Sequence, residues 1–142
     1  MFDFLKKAKF KIVSPAKGKM KDITEVDDEA FSSKSLGDGF AIEPKNGEVY
    51  SAMDGVVEMI FPTLHAFGLK NSNLNGEGFE LLVREGQKIK AGDILVKFDI
   101  ESIKSKVAST DRIVVFTSGE SCELIKNWVN VESSEEEIVN IK

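Results

Sequence analysis

Two stretches decide how this chain reads: Ile12-Val13-Ser14-Pro15-Ala16-Lys17-Gly18 and Val49-Tyr50-Ser51-Ala52-Met53-Asp54-Gly55. They align at an offset of 37 residues, with Ser and Gly recurring in place and Ile23 echoed by Ile60. Each starts on apolar residues, passes a serine and closes on a glycine that leads into more apolar residues. That grammar predicts strand, tight turn, strand, twice over. A third relative runs from Val83-Arg84-Glu85-Gly86 to Ala91-Gly92-Asp93-Ile94-Leu95, where a strand meets two glycine turns before the next strand. Repeated hairpins of this kind suggest two curved sheets packed face to face.

The same pattern continues outward. Phe40-Ala41-Ile42, Val56 to Phe61, Phe67-Gly68-Leu69, Ile94 to Phe98 and Ile113 to Thr117 are β-branched or aromatic runs, parted by Gly37-Asp38-Gly39, Pro44, Asn46-Gly47 and Gly119. Asn46-Gly47, between Ile42 and Val49, predicts a hairpin because both residues tolerate positive φ. Short strands at this spacing predict an all-β fold: an antiparallel β-sandwich with Greek-key or jelly-roll-like connections. Few helical turns are expected. Ile100, Ile103 and Val107, spaced i, i+3, i+7, predict one or two. Glu132 to Glu137 read as a charged loop, and Ile138 to Ile141 as a closing strand.

Composition narrows the function classes. The chain has 142 residues, so one domain is expected, over residues 11–142. Residues 1–10 stand apart as a tail, with a weak amphipathic surface anchor built on Phe2, Leu5 and the lysines as the functional alternative. Lys and Arg total 19 against 24 Asp and Glu, a net charge of -5, so nothing draws the chain to nucleic acid. One cysteine, Cys122, excludes an internal disulfide framework and reads as an inert thiol. One histidine, His65, excludes any mechanism needing two imidazoles from this chain. No Gly-rich phosphate loop, bilayer-length apolar run or secretory leader is visible, and a cytoplasmic location is expected.

Several segments together resemble the glucose-type EIIA domain of the phosphoenolpyruvate-dependent sugar phosphotransferase system. They are Ser14-Pro15 with Gly18, Asp27 to Phe31, Gly37 to Pro44, Met53 to Val57, Phe61-Pro62-Thr63-Leu64-His65-Ala66-Phe67-Gly68-Leu69, Leu74 to Phe79, Gly86 to Asp93 and Phe98-Asp99. The resemblance implies an antiparallel β-sandwich that takes a phosphoryl group from the small carrier HPr onto a histidine. The group then passes to the cysteine of an EIIB-type permease domain. Two histidines face each other in a shallow apolar depression in this family. The Thr-x-His motif supplies one, here His65 with Thr63 beside it, and Phe31 and Phe61 match the apolar rim. No cofactor is implied. Zinc, which some members hold between the facing histidines, is not expected with one imidazole and no nearby cysteine.

The departure from the family pattern is as informative as the match. A strand carrying the phosphorylated histidine should lie between the His-Ala-Phe-Gly and Gly-Glu-Gly-Phe segments. Here Leu69-Lys70-Asn71 runs almost directly into Ser72-Asn73-Leu74-Asn75-Gly76. An alternative alignment sets Phe79 to Gly86 on that strand and puts Arg84 in the histidine slot. Gly76 to Asp93 matches without a gap, which favours the first. Either way the usual acceptor is missing, and arginine, protonated and without a free lone pair, cannot replace it. Closing the gap would call on Asn71 to Asn75, with Leu81-Leu82-Val83 moving into the vacant position. The expected function is an EIIA-type phosphoryl relay, impaired or altered because only His65 remains. A non-phosphorylated binding or regulatory module on the same fold is the alternative. A biotinyl or lipoyl carrier is disfavoured, since Met20-Lys21, the only Met-Lys pair, falls in the first strand pair.

Overall fold

Phe40, Ala41 and Ile42 are three consecutive apolar residues with no exposure at all, as a strand covered on both faces requires. They form the middle of β2 (Asp38–Pro44), the strand around which the larger sheet is built. The computed structural model describes residues 11–56, 79–82, 84, 86–99, 110–117 and 119–142. Its other strands are β1 (Gly18–Asp22), β3 (Glu48–Tyr50), β4 (Gly55–Val56), β5 (Phe79–Leu81), β6 (Lys88–Ile89) and β7 (Ile94–Phe98). Then come β8 (Arg112–Phe116), β9 (Cys122–Leu124), β10 (Asn130–Val131) and β11 (Val139–Ile141).

Among the described residues every pairing is antiparallel: a four-stranded sheet in the order β10-β1-β2-β8, a three-stranded sheet β3-β7-β5, and the pairs β4-β6 and β9-β11. Among the described residues helix is confined to a 3-10 turn at Ile23–Glu25 and to α1 (Glu29–Ser32). The all-β antiparallel expectation holds. The core gathers Ile12, Ala16, Met20, Phe40, Ile42, Phe116, Val131 and Ile138.

The sequence echo is built into the fold. Ser14 Oγ donates to the Ala16 carbonyl at 2.6 Å, and Ser51 Oγ donates to the Met53 carbonyl at the same distance. The backbone of Ser14 exchanges bonds with Ser134 and Glu135, and that of Ser51 with Gly92 and Asp93. The two turns also hold each other, through Val13 N–H to the Ala52 carbonyl and Tyr50 N–H to the Pro15 carbonyl. Each glycine then opens a strand, Gly18 opposite Val131 and Gly55 opposite Ile89. The serines recur because each closes a local turn with its own hydroxyl.

Some expectations are corrected. Asn46-Gly47 is not a hairpin: β2 pairs with β1 and β8, while β3 pairs with β7, so the link passes from one sheet to another. Asn46 Oδ1 caps the Glu48 N–H at 3.2 Å. Gly47 is needed for closeness, since a Cβ there would lie 1.7 Å from the Phe98 carbonyl oxygen. Ile12-Val13 is buried but not a strand, because Val13 and Ser14 spend their N–H groups on Ala52 and Glu135. The helical turns seen among the described residues start at Asp22 and Asp28, whose carboxylates accept from Thr24 N–H and Ala30 N–H. Of the stretch expected to close the gap, Leu81 lies in β5 opposite Val96, and Leu82 N–H reaches the Leu95 carbonyl. The expectations for residues 1–10, for most of Val56 to Phe61, for Phe67 to Leu69 and for Ile100 to Val107 lie outside the described residues.

Candidate functional site

Three of the four sequence-derived site residues, Phe61, Thr63 and His65, lie outside the described residues. What the structure gives is the frame on either side of them. The chain leaves the described region from β4, which is tied to β6, and re-enters at β5, which is tied to β7. Phe31, the fourth residue, lies half-buried on α1, in the connection from β1 to β2. Lys34, with φ 62, ends that helical turn. Leu36, 48% exposed, follows it toward β2.

Gly37-Asp38-Gly39 opens β2, and Asp38 does structural work there. Its carboxylate accepts the Gly39 N–H at 2.8 Å and the Cys122 N–H at 2.9 Å, and it pairs with Lys34 at 3.5 Å. Burial alone would raise its pKa, but the N–H groups of Cys122 and Gly39 and the Lys34 charge outweigh that and hold it below the usual carboxylate range. A carboxyl whose pKa is depressed on folding contributes stability above its unfolded pKa of about 3.9, and that contribution is lost as pH falls through the lower folded value. Asp38→Ala should therefore cost about 1.5–3 kcal/mol at pH 7, read by urea denaturation. The difference between wild type and variant should shrink once the pH is below about 4.

Cys122 is buried enough that desolvation, then the charges of Asp38 and Asp22, push its thiol up to about 12. Only the thiolate is reactive. Alkylation by iodoacetamide at pH 8 should run on the order of 10³-fold slower than for free cysteine, and unfolding should restore the rate.

A group of buried charges escaped the sequence reading. Lys21 lies 2.8 Å from an Asp111 carboxylate oxygen and 3.1 Å from one of Glu43. Burial works against the Lys21 ammonium, yet the contacts with Asp111 and Glu43 prevail and raise its pKa. Arg112 follows Asp111, opens β8 and is 2% exposed. Desolvation lowers its pKa to about 9, which leaves it charged at neutral pH. The signal was a charged pair, Asp111-Arg112, placed directly before Ile113-Val114-Val115-Phe116. The sequence reading starts that strand at Ile113 and leaves the pair outside it.

Comparison with known proteins gives one family. The family described as phosphoenolpyruvate-dependent sugar phosphotransferase system, EIIA 1, matches residues 10–74 and 67–122. A glucose-specific EIIA component of the sugar phosphotransferase system from Bacillus cereus is 41% identical over 137 residues, spanning 87% of this chain and 83% of that protein. A glucose-specific EIICBA component from Staphylococcus carnosus is 40% identical over 132 residues, spanning 82% of this chain and 20% of that protein. Among solved structures, the glucose permease IIA of Mycoplasma capricolum superposes with a TM-score of 0.75 at 31% identity, covering 92% of this chain and 93% of that one. In the Bacillus cereus alignment, 87% of 142 residues is about 124, so about 13 of the 137 positions have no counterpart here. Sequence motifs, antiparallel strand architecture and these matches agree: the chain belongs to the glucose-type EIIA family of the phosphoenolpyruvate-dependent sugar phosphotransferase system.

Proposed function

We propose that this EIIA-type component relays phosphoryl groups poorly, because His65 alone stands where the family uses a facing pair of histidines. The observation that carries this is the count of one histidine in the chain. Two features of the comparisons support it. The family match falls into two stretches, residues 10–74 and 67–122, which overlap at residues 67–74. In the Bacillus cereus alignment about 13 of the 137 positions also have no counterpart in this chain.

The chemistry follows from the ring. An imidazole of ordinary pKa, about 6.5, is largely neutral at pH 7 and offers one nitrogen lone pair to phosphorus. As that bond forms, the bond from phosphorus to the donor histidine of HPr breaks, and the donor ring keeps the electron pair. In this reading Thr63 orients His65, and Phe31 and Phe61 form the apolar rim against which HPr and then an EIIB-type permease domain dock. The work is cytoplasmic, and the membrane is reached through the permease partner. Among the described residues no helix is long and apolar enough to cross a membrane.

Incubation with phosphoenolpyruvate, the first enzyme of the system and HPr should place a small amount of acid-labile phosphate on the chain. His65→Ala should abolish it. Label that survives His65→Ala would overturn the assignment of His65. No label on the intact chain, with HPr still bound, would favour a docking module that carries no phosphate.

A further inference from the structure

Among the described residues five large hydrophobic side chains stand exposed, and three of them fall within one short link, that from β9 to β10: Ile125 at 49%, Trp128 at 46% and Val129 at 46%. Single hydrophobics scattered over a surface need no explanation, but a run of them marks an interaction site. The backbone presents this run against its own preference. Trp128 has φ 59, in the left-handed region that a bulky residue seldom enters. The bend is held by β1: Trp128 N–H donates to the Met20 carbonyl at 2.7 Å, and Met20 N–H donates to the Val129 carbonyl at 2.9 Å. Lys19 Nζ lies 5.7 Å from the centre of the indole ring. Residues kept in such conformations cluster at ligand clamps and contact sites.

The described chain begins close to this link. Lys11 pairs with Glu136 at 3.0 Å, and Ser14 N–H donates to the Glu135 carbonyl at 2.9 Å. Two residues beyond Glu136, the Ile138 carbonyl accepts the Ile125 N–H at 2.8 Å. Residues 1–10 therefore join the body beside the segment that carries Ile125, and ten residues of chain reach up to ~33–36 Å. Phe2, Phe4, Leu5 and Phe10 are large and apolar, while Lys6, Lys7 and Lys9 are cationic. The loop at the junction carries glutamates at 132, 135, 136 and 137, and it already draws lysines: Lys17 to Glu132, Lys126 to Glu135 and Lys11 to Glu136.

We propose that the Ile125-Trp128-Val129 patch is the docking surface for the chain's own first ten residues, with Phe2, Phe4 and Leu5 against the patch and Lys6, Lys7 and Lys9 along the glutamates of residues 132–137. Apolar side chains that a separate tail would leave in water are then buried together with those of the link. Charge sets the other occupants aside. A net charge of -5 and the acidic loop repel an anionic lipid surface. A second copy docked patch to patch would set two acidic loops side by side. The contact is separate from the phosphoryl chemistry and does not depend on His65.

Trp128 is the only tryptophan, so its fluorescence in the full chain reads the patch directly. Acrylamide quenching should rise about twofold in the double variant Phe4→Ser, Leu5→Ser, with emission shifted to the red, because the ring returns to water. A nitroxide on Asp3→Cys locates the tail. Cys122, its thiol pushed up to about 12, does not compete for the label. The amide signals of Ile125, Trp128 and Val129 should broaden, and Phe4→Ser, Leu5→Ser should remove the broadening. Unchanged quenching in the double variant, or no broadening at these amides, would overturn the proposal. Broadening that passes from spin-labelled chains to isotope-labelled chains in a mixture would assign the patch to a second copy. Protection of Trp128 only when phosphatidylglycerol vesicles are added would assign it to a lipid surface; either result also overturns the proposal.

Discussion

Phe40→Ala should remove about 3–5 kcal/mol of stability, the cost of deleting a fully buried aromatic ring from a packed core. Phe40 sits opposite Asp22 on β1 and Val114 on β8, so β2 is bonded on both sides at its position. It has no exposure and packs in the cluster with Met20, Ile42, Phe116 and Ile138, drawn from four segments far apart in sequence. The cavity cannot close without moving a strand that is held on both sides. For a domain with about 5–15 kcal/mol in hand, the loss brings unfolding within reach of modest warming. Urea denaturation should show a lower midpoint with an unchanged slope, and Leu36→Ala, at an exposed position, should stay within about 0.5 kcal/mol of wild type. A loss under about 1 kcal/mol for Phe40→Ala would mean that β2 is not the centre of the core.

The strand grammar was readable because it is local. Ser14 and Ser51 recur since each closes its own turn, and Ile94 to Phe98 became β7 without adjustment. Pairing is not local, and there the sequence misled. Asn46-Gly47 has the composition of a hairpin, yet its strands join different sheets. The glycine serves the approach of the Phe98 carbonyl, a contact 51 residues away in the chain that no dipeptide rule contains. The charges at Lys21, Asp111 and Arg112 were illegible for a related reason. A lysine in Gly18-Lys19-Met20-Lys21-Asp22 looks solvated until β2 and β8 bring Glu43 and Asp111 to it. Of the candidate site, the family motif was legible at once, because Thr63-Leu64-His65-Ala66-Phe67 is contiguous. Phe31 enters only by resemblance, since nothing in Asp28-Glu29-Ala30-Phe31 separates a rim residue from a core one, and the structure leaves it half-buried.

The largest functional effect should be on phosphoryl transfer. A facing histidine positions the reactive ring and binds the incoming phosphate, and removing a positioned partner of that kind costs about 10²–10⁴-fold in rate. The chain offers no second imidazole to fill the role. Arg84, in the alternative alignment, could bind phosphate but not accept it. On the proposed reading HPr docks against the apolar rim that includes Phe31, so affinity for HPr should fall much less than the rate. The decisive measurement is single-turnover transfer from phosphorylated HPr to this chain, run beside a two-histidine EIIA domain of the same family. A rate lower by about 10²–10⁴-fold, with label confined to His65, is the predicted result. Transfer at the rate of the two-histidine domain would contradict it.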